Sequence, residues 1–507
     1  MATKALFNTV INWFIRQRID QIQNFVKYPI ETQEGLLFSQ LFHAEETEYG
    51  QKNGFSSISN YRDFQRKVPI VYYEDFEPFI EKARQGQKDI IWPGFIKQFA
   101  KSSGTTNAKS KYIPITDESL EDCHYKAGKD LISIYVNNHP ESELFQHKNL
   151  RLGGSAEMYE NFNTKFGDLS AILIENLPFW VEIINIPSKK ISLMSEWESK
   201  MNAIISEVKH EDVGSLTGVP SWMMVLLQKT LQETGKNNIA KLWQNLEVFF
   251  HGGISFQPYK NRYKEIIGKD IRYYEIYNAS EGFFGIQDQS ESDEMLLMLD
   301  YGIFYEFIPM EKFSSGNFDA IPISEVETEK NYAMVITTNG GLWRYLIGDT
   351  VKFTSLNPFR IKITGRTKHY INAFGEELMI DNVETALKLT CENLNISISD
   401  YTGAPVFMTN ESKGRHEWIF EFSKKPHNLE EFAEIFDKTL KTLNSDYEAK
   451  RYKDITLKSP IIHLAKENLF YEWMANRGKL GGQNKVPRLS NNREYIEDLL
   501  MLNRLKD

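Results

Sequence analysis

The sequence predicts an α/β protein with a large N-terminal domain, residues 1–365, and a small α+β C-terminal domain, residues 366–507. A chain of 507 residues exceeds what one hydrophobic core supports, so more than one domain is expected. Over the first two thirds, short β-rich runs alternate with helical runs, which is the pattern of layered α/β domains. After residue 364 this texture changes, and the remainder has the length and the mix of elements of a compact domain.

The elements of the large domain can be placed in chain order. Residues 68–72 are predicted as a strand and residues 73–84 as a helix with an acidic first turn. Thr116 is predicted to cap a helix, and a capping box at residues 195–198 opens another helix that ends near Val208. The helix after Thr116 should bury a face formed by Leu120, Cys123, Ala127, Leu131 and Ile134. Further strands are predicted at residues 246–250, 271–277, 295–308 and 332–338.

The small domain is predicted to mix helices and strands. Its expected elements are a helix at 381–390, strands at 406–409 and 418–422, a helix at 429–443, a strand at 457–464 and a Gly-rich loop at 478–482.

Composition and charge exclude several classes of protein. The net charge of -10 argues against general binding to nucleic acid or anionic membranes. Two cysteines, Cys123 and Cys391, are too few for a disulfide framework or a Cys-rich zinc site. The first residues have the periodicity of an amphipathic helix and lack the apolar run of a signal peptide. We therefore expect a cytoplasmic monomer that binds neither nucleic acid nor membrane.

The first chemical motif is the segment at residues 101–111, which reads KSSGTTNAKSK. Backbone N–H groups, rotatable hydroxyls and lysines within one short loop are what a polyphosphate requires. The segment is not a Walker loop, because no Gly-Lys-Ser/Thr sequence closes it. A solvated Ser/Thr-rich loop is the alternative interpretation.

Two carboxylates follow apolar runs further along the chain. Glu281, in the sequence YNASEG at residues 277–282, comes after a predicted strand, where α/β sheets bind ligands, and is suited to Mg²⁺. Asp349 follows a glycine in the sequence LWRYLIGD at residues 342–349 and is placed to accept both hydroxyls of a ribose. Each pattern alone also occurs as a plain turn. A fourth motif, TGRTK, spans residues 364–368 at the change of texture.

In their order and spacing these motifs resemble the adenylate-forming superfamily of acyl-CoA synthetases, luciferases and peptide-synthetase adenylation domains. More closely, the chain resembles the Gretchen Hagen family of acyl-acid amido synthetases. That closer resemblance rests on KYIP at residues 111–114, FFG at 283–285, the LWRYLIGD sequence and KVPR at 485–488. The resemblance spans nearly the whole chain and implies a large multi-sheet adenylation domain with a small, mobile C-terminal lid domain.

The resemblance also implies a nucleotide site. Its residues would be Ser102, Ser103, Gly104, Thr105 and Thr106 around the phosphates, Lys111 beside them, Gly252 and Gly253 along the adenine, Tyr277 against the purine with Ser280 in the same motif, Asp349 at the ribose hydroxyls, and Arg366 at the ribose or phosphate side.

Two residues would carry the chemistry that the resemblance implies. Glu281 would bind Mg²⁺, and Lys485 would contact the substrate carboxylate and the α-phosphate while acyl-AMP forms. Because two anions approach each other in this step, cations are needed at the transition state. Lys368 falls at the hinge about which the small domain would rotate. The implied cofactors are ATP and Mg²⁺.

Some positions depart from the pattern of the wider superfamily. Leu346 stands where many members have arginine, so Arg344 is a candidate to take that role. Asn107 and Ala108 replace glycines that are common in the phosphate loop. His124, in a region that often shapes the acyl pocket of the family, is expected on a helix surface.

The sequence therefore predicts an ATP-dependent ligase that activates a small carboxylic acid and transfers the acyl group to an amino acid or other amine. Two alternatives stay open. The acceptor could be coenzyme A or a carrier thiol, or the protein could be an inactive nucleotide-binding protein that has kept the fold.

Overall fold

The structure, a computed structural model, describes residues 2–102, 111–153, 158–177, 179–194, 196–253, 256, 259–290, 292–367, 370–371, 376, 378–407, 414–444, 447–448, 451, 457–478, 486–490 and 493–504. In these parts of the chain, no helix has both the length and the apolar character that a membrane span requires.

The helices cluster at the N-terminus, around the sheets and in the small domain. They are α1 Ala2–Lys27, α2 Pro29–Ala44, α3 Glu48–Lys52, α4 Tyr61–Lys67, α5 Tyr73–Arg84, α6 Asp117–Ser119, α7 Lys126–Asn138, α8 Leu169–Glu175, α9 Phe179–Ile184, α10 Lys189–Ser192, α11 Trp197–Val208, α12 Pro220–Thr234, α13 Lys260–Ile267, α14 Met310–Ser314, α15 Ile380–Leu394, α16 Leu429–Leu443, α17 Leu469–Asn476 and α18 Glu494–Arg504. A π-helical segment, Leu120–Tyr125, joins α6 to α7.

The described strands form four sheets. They are β1 Gln98–Ser102, β2 Lys111–Ile115, β3 Lys148–Leu152, β4 Tyr159–Asn161, β5 Thr164–Gly167, β6 Asn185–Ile186, β7 Val213–Gly218, β8 Val248–Gly252, β9 Arg272–Ala279, β10 Gly282–Ile286, β11 Met295–Leu297, β12 Ile303–Pro309, β13 Ile321–Pro322, β14 Asn331–Thr338, β15 Tyr345–Leu356, β16 Phe359–Arg366, β17 Tyr370–Ile371, β18 Leu378–Met379, β19 Ser397–Val406, β20 Arg415–Lys424 and β21 Ile461–Leu464.

The central sheet has twelve strands in the order β13-β12-β14-β15-β16-β11-β10-β9-β8-β7-β3-β6. Strands β6, β3, β7, β8 and β9 are parallel neighbours, and the rest of the sheet is antiparallel. The carboxyl ends of the parallel strands meet at one edge, which is where such sheets bind ligands. This edge positions the candidate site.

A second sheet, in the order β2-β1-β5-β4, carries the Ser/Thr-rich motif. Strands β1 and β2 are antiparallel, and Ser102 pairs with Lys111 at the open end of their ladder. The end of β1 and the start of β2, which flank residues 103–110, therefore lie side by side.

The small domain has its own three-stranded sheet, β19-β20-β21, and its own apolar core. That core packs α15 and α16 against the sheet through Trp418, Phe420 and Phe436, all fully buried. A different cluster joins residues of the large domain to α17 and α18, so the two parts share apolar surface. The large multi-sheet domain and the smaller α+β domain that the sequence predicts are both present.

Several predicted elements are confirmed. The helices predicted at residues 73–84 and 429–443 match α5 and α16. Thr116 caps α6 by accepting a hydrogen bond from the backbone N–H of Ser119 at 3.0 Å. The predicted apolar face after Thr116 is buried along its length, at Leu120, Cys123, Ala127, Leu131 and Ile134.

Four local predictions are wrong in whole or in part. Residues 68–72 form no strand, because the N–H of Val68 closes α4 and only Val71 makes a β-bridge, to Tyr345. The cap of α11 is Glu196, while Ser195 lies outside the described residues. The strand predicted at 295–308 is divided into β11 and β12. Of the strand predicted at 406–409, Val406 ends β19, which begins earlier, at Ser397, and residues 408 and 409 lie outside the described residues.

Candidate functional site

A cleft of about 2370 Å³ opens at the carboxyl ends of the parallel strands, between the large and small domains. Gly218 and Gly252 line it from the ends of β7 and β8, and Glu384 and Arg488 line it from the small domain. Crevices outside the carboxyl ends of parallel strands are the usual ligand sites of open α/β sheets.

The turn after β8 has room only for glycine. A Cβ added to Gly252 would lie 2.4 Å from the carbonyl oxygen of Ile276 on the neighbouring strand β9. Gly253 has φ of +81°, which side chains with a Cβ rarely adopt. The turn is therefore a bare backbone surface that a flat ligand can approach closely.

Three side chains from separate strands meet in the cleft. The hydroxyl of Tyr277, on β9, donates to Asp349 Oδ2 at 2.6 Å. Nε of Arg366, at the end of β16, contacts Asp349 Oδ1 at 2.8 Å. The carboxylate of Asp349 raises the pKa of Arg366, and burial raises the pKa of Tyr277, so both hydrogens stay in place at neutral pH. Each carboxylate oxygen of Asp349 keeps a lone pair for a ligand hydroxyl.

Glu281 lies beside this group, in the tight turn between β9 and β10. Burial raises its pKa, while its own backbone N–H, the ammonium of Lys111 and Arg366 favour the ionised form. Electrostatic interaction with Asp349 opposes ionisation. Glu281 is thus a half-buried carboxylate within reach of the cations of two other motifs. Ser280 in the same turn is buried. Neither Ser280 nor Glu281 lines the cleft itself, and Glu281 adjoins it through its electrostatic interactions with Asp349 and Arg366.

Glu281 fits a Mg²⁺ ion that is held chiefly by a nucleotide. Among the described residues, no cluster of three or more His, Cys, Asp or Glu side chains could hold a metal on its own. Mg²⁺ typically binds one or two carboxylates together with substrate phosphates and waters. A single half-buried carboxylate matches this type of site and does not match an all-protein metal site.

The predicted phosphate residues can be placed only in part. Lys111 lies at the start of β2, with its Nζ 5.4 Å from the ring centre of Tyr73. Ser102 ends β1 opposite Lys111. Other predicted residues lie outside the described parts of the chain: Ser103, Gly104, Thr105, Thr106, Lys368 and Lys485.

The segment that follows Lys485 is fixed to the small domain. The carbonyl of Arg488 accepts from the N–H of Gly403 at 2.9 Å, and the N–H of Ser490 donates to the carbonyl of Gly403 at 3.0 Å. The Arg488 guanidinium is bonded to Asp400 and donates from Nη2 to the Tyr259 hydroxyl at 3.0 Å. Tyr259 belongs to the large domain, at the start of α13. Arg488 therefore connects the two domains beside the cleft.

Two sequence expectations are wrong at this site. Arg344 does not line the cleft, because its buried guanidinium pairs with Glu306 at 2.8 Å and donates to the carbonyl of Val68 at 2.8 Å. His124 is buried in the π-helical segment, and burial lowers its pKa to about 4. Tyr259 and Arg151, which also line the cleft, were missed, because neither lies in a recognisable motif.

Sequence comparison identifies the family. The model of the GH3 family N-terminal domain matches residues 18–271, that of the GH3 family central domain residues 296–366, and that of the GH3 family C-terminal domain residues 381–494. Together these matches cover Gly252, Asp349, Arg366 and most of the small domain, while Tyr277 and Glu281 lie between the first and second matches. The chain belongs to the GH3 family.

Named relatives and solved structures agree with this assignment. The chain is 22% identical to indole-3-acetic acid-amido synthetase GH3.3 of Arabidopsis thaliana, over 87% of this chain and 86% of the relative. It is 25% identical to jasmonoyl-L-amino acid synthetase JAR6 of Nicotiana attenuata, over 66% and 68%. Its fold is similar to that of GH3.15 acyl acid amido synthetase, with a TM-score of 0.78, 17% identity and coverage of 95% of both chains. A 2-hydroxyisobutyryl-CoA ligase in the postadenylation state has a TM-score of 0.60, 15% identity and coverage of 93% of this chain and 91% of its own.

Proposed function

We propose that the protein is an ATP-dependent acyl-acid amido synthetase, which activates a small carboxylic acid as acyl-AMP and transfers the acyl group to an amino acid or another amine. The observation that carries this proposal is the convergence of Gly252, Tyr277, Glu281, Asp349 and Arg366 at one sheet edge. Membership of the GH3 family and relatives that are named amido synthetases support the reaction class.

Each part of the cleft suits one part of a nucleotide. The bare turn at Gly252 and Gly253 would lie along the adenine, with Tyr277 on the other side. Asp349 would accept both ribose hydroxyls, since two of its lone pairs are unused by Tyr277 and Arg366. Lys111 and the Ser/Thr-rich loop would face the phosphates, where cations and hydroxyl donors favour a polyphosphate.

In the first half-reaction, an oxygen of the substrate carboxylate attacks the α-phosphorus of ATP, the P–O bond to pyrophosphate breaks, and acyl-AMP forms. Lys485 would stabilise the negative charge shared between the two anions, and Arg366 would hold the ribose side. Mg²⁺, when bound, would neutralise phosphate charge. Glu281, when its carboxyl group is ionised, would hold that ion.

In the second half-reaction, the amine attacks the acyl carbonyl carbon, the C–O bond to AMP breaks, and the amine loses a proton as the amide forms. Rotation of the small domain between the two steps would withdraw Lys485 and open a path for the acceptor. The bond between Arg488 and Tyr259 crosses the two domains and would form in one of these arrangements.

One alternative acceptor has a specific observation in its favour. The fold is also similar to that of a CoA ligase, at a TM-score of 0.60. A thiol could therefore take the place of the amine in the second step without any change to the first.

Exchange of labelled pyrophosphate into ATP, across a panel of carboxylic acids, tests the first step. We expect exchange that depends on one class of acid. Amino acids, amines or CoA are then added separately to the acyl-AMP formed. Discharge by an amine supports the proposal, and discharge only by a thiol means that the CoA alternative is correct. Tight ATP binding without exchange for any acid would identify an inactive nucleotide-binding protein.

Mg²⁺ dependence, a cytoplasmic location and a monomeric state complete the proposal. The single carboxylate of Glu281 supports the first of these, and the low cysteine count supports the second.

A further inference from the structure

Arg151 stands near the carboxyl end of β3, in the same cleft but away from the nucleotide motifs. It is in register with Thr217 on β7, which is in register with Phe250 on β8. Residues in register on parallel strands project to the same face of the sheet. The side chain of Arg151 therefore projects to the same face of the sheet as that of Phe250. Two strand spacings, about 10 Å in all, separate β3 from β8.

The side chain of Arg151 is half-buried, and its guanidinium has no counter-charge among the described residues. Its Nε is shielded from solvent and has no hydrogen-bond acceptor. Burial lowers the pKa of Arg151 to about 10, so the group still carries its positive charge at neutral pH. Removing a charge from water without an anionic partner costs several kcal/mol.

Several buried or half-buried arginines elsewhere in the described chain pair with a carboxylate. Such pairs, with their shortest contacts, are Arg18 with Asp130 at 2.5 Å, Arg344 with Glu306 at 2.8 Å, Arg360 with Asp288 at 2.7 Å and Arg451 with Asp437 at 2.8 Å. In the described parts of the chain, no carboxylate lies within 4.0 Å of Arg151. Arg151 thus differs from these four arginines in having no carboxylate partner among the described residues.

The acidic groups near Arg151 are engaged elsewhere. Glu182 interacts with Arg151 only at a distance and lies 3.7 Å from Lys189. Asp168 accepts from the N–H and the hydroxyl of Ser170, each at 2.8 Å. The hydroxyl of Tyr125 donates to the carbonyl of Leu173 at 3.2 Å. An anion for Arg151 therefore has to come from outside the described chain.

We propose that Arg151 binds a carboxylate of one of the two organic substrates. The fork of an arginine matches a planar carboxylate through two parallel hydrogen bonds. Arg151 lines the cleft together with Thr217, its neighbour in register on β7. The proposal rests on the proposed function, which supplies two carboxylates: that of the acid and that of an acceptor amino acid.

Substitution of Arg151 by Met tests the proposal, because Met is unbranched and carries no charge. An uncompensated buried cation destabilises the free protein, so the melting temperature of R151M should equal or exceed that of the wild type. Binding should fall, since loss of a buried charged contact weakens binding by about tenfold or more. Arg66→Met is the control, because Arg66 pairs with Asp63 on its own helix and does not line the cleft.

Two assays separate the two carboxylates. A rise in the KM of an amino acid, with no change for the corresponding amino acid amide, would assign Arg151 to the acceptor. A rise in the KM of the acid during pyrophosphate exchange would assign it to the acyl substrate. Both results support the proposal. Unchanged values for both substrates, or a change confined to ATP, would overturn it, as would a lowered melting temperature.

Failure of the proposed function is recognised separately. If the wild type exchanges no pyrophosphate with any acid, calorimetric titration of both proteins with the same acids and amino acids in the presence of ATP still tests Arg151. Binding to the wild type that R151M loses supports the proposal. Equal binding to both proteins, or binding to neither, rejects it.

Discussion

Single residues in the cleft act through partners distant in sequence. Asp349 is held by Tyr277, 72 positions earlier, and by Arg366 on the next strand. The sequence predicted each of these residues from its own motif. Their hydrogen bonds could not be predicted, because the register that joins β9, β15 and β16 depends on the whole central sheet.

Lys485 is the residue on which the proposed adenylation step depends most. Substitution by Ala removes a cation from the transition state, and exchange of pyrophosphate should fall by about 10²–10³-fold. ATP binding, measured by calorimetry, should change little, because the ground state has other cations. Lys479→Ala, in the same Gly-rich segment, should keep normal exchange. Unchanged exchange in the Lys485 variant would show that another group carries this role.

At the scale of elements, the accuracy of sequence prediction depended on whether local signals decide the structure. Helix α5 has its acidic first turn and α16 its amphipathic pattern, and both were predicted to the residue. Residues 68–72 have the composition of a strand, yet they form only one β-bridge, at Val71. Val68 and Val71 are buried by packing of this loop against the core rather than by sheet pairing. The parallel order β3-β7-β8-β9 is also non-local and was not predicted.

The turn after β8 should not tolerate a methyl group. Gly252→Ala places a Cβ against the carbonyl of Ile276, so the turn or β9 has to move, at a cost of about 1–3 kcal/mol. We expect weaker ATP binding by calorimetry together with a lower melting temperature. Gly128→Ala is the matched control. Gly128 lies in helix α7, and a Cβ added there meets no atom within 4 Å. Equal ATP affinity in both variants would contradict a nucleotide role for this turn.

The stability of the small domain should depend on pH because of Glu421. Its carboxylate accepts from the N–H groups of Asn468 and Phe470 at the start of α17, and burial raises its pKa from 4.5 to about 7. The folded protein therefore binds the proton of the Glu421 carboxyl group more tightly than the unfolded chain does. The resulting stability is fully present below pH 4.5 and is lost as the pH rises through about 7.

Glu421→Gln removes this titration. The free energy of unfolding of the variant should rise relative to that of the wild type between pH 5 and pH 8, by on the order of 2–3 kcal/mol. Chemical denaturation at several pH values measures it, with the exposed Glu430→Gln as control. A constant difference between variant and wild type across this range would mean that Glu421 does not titrate there.

At the scale of the whole molecule, the polar contacts between described residues of the two domains include Arg488 with Tyr259 and Tyr471 with Glu198, and the first can be removed separately. The Tyr259 hydroxyl accepts from Arg488, whose other partners, Asp400 and Tyr401, lie within the small domain. Loss of this hydroxyl therefore breaks a contact between domains and leaves the small domain unchanged. Since Arg488 follows Lys485 by three positions, the contact would dock the catalytic segment on the large domain.

Tyr259→Phe should accordingly affect one half-reaction more than the other. The loss of one hydrogen bond to a charged group should lower pyrophosphate exchange by about 10- to 150-fold. Amide formation from added acyl-AMP should be unchanged or faster. Tyr263→Phe, which removes a hydrogen bond to Pro220 within the large domain, is the control and should not separate the two steps. An equal fall of both steps in the Tyr259 variant would indicate a purely structural role.

The central claim is that a carboxylate oxygen attacks the innermost phosphorus of ATP in this cleft. It is tested most directly with an acid that carries ¹⁸O in both carboxylate oxygens, supplied with ATP and an amine. Attack at the α-phosphorus followed by transfer to the amine leaves one ¹⁸O in the AMP released, which mass spectrometry detects. Label in inorganic phosphate, with ADP as the other product, would mean attack at the terminal phosphorus and would contradict the account.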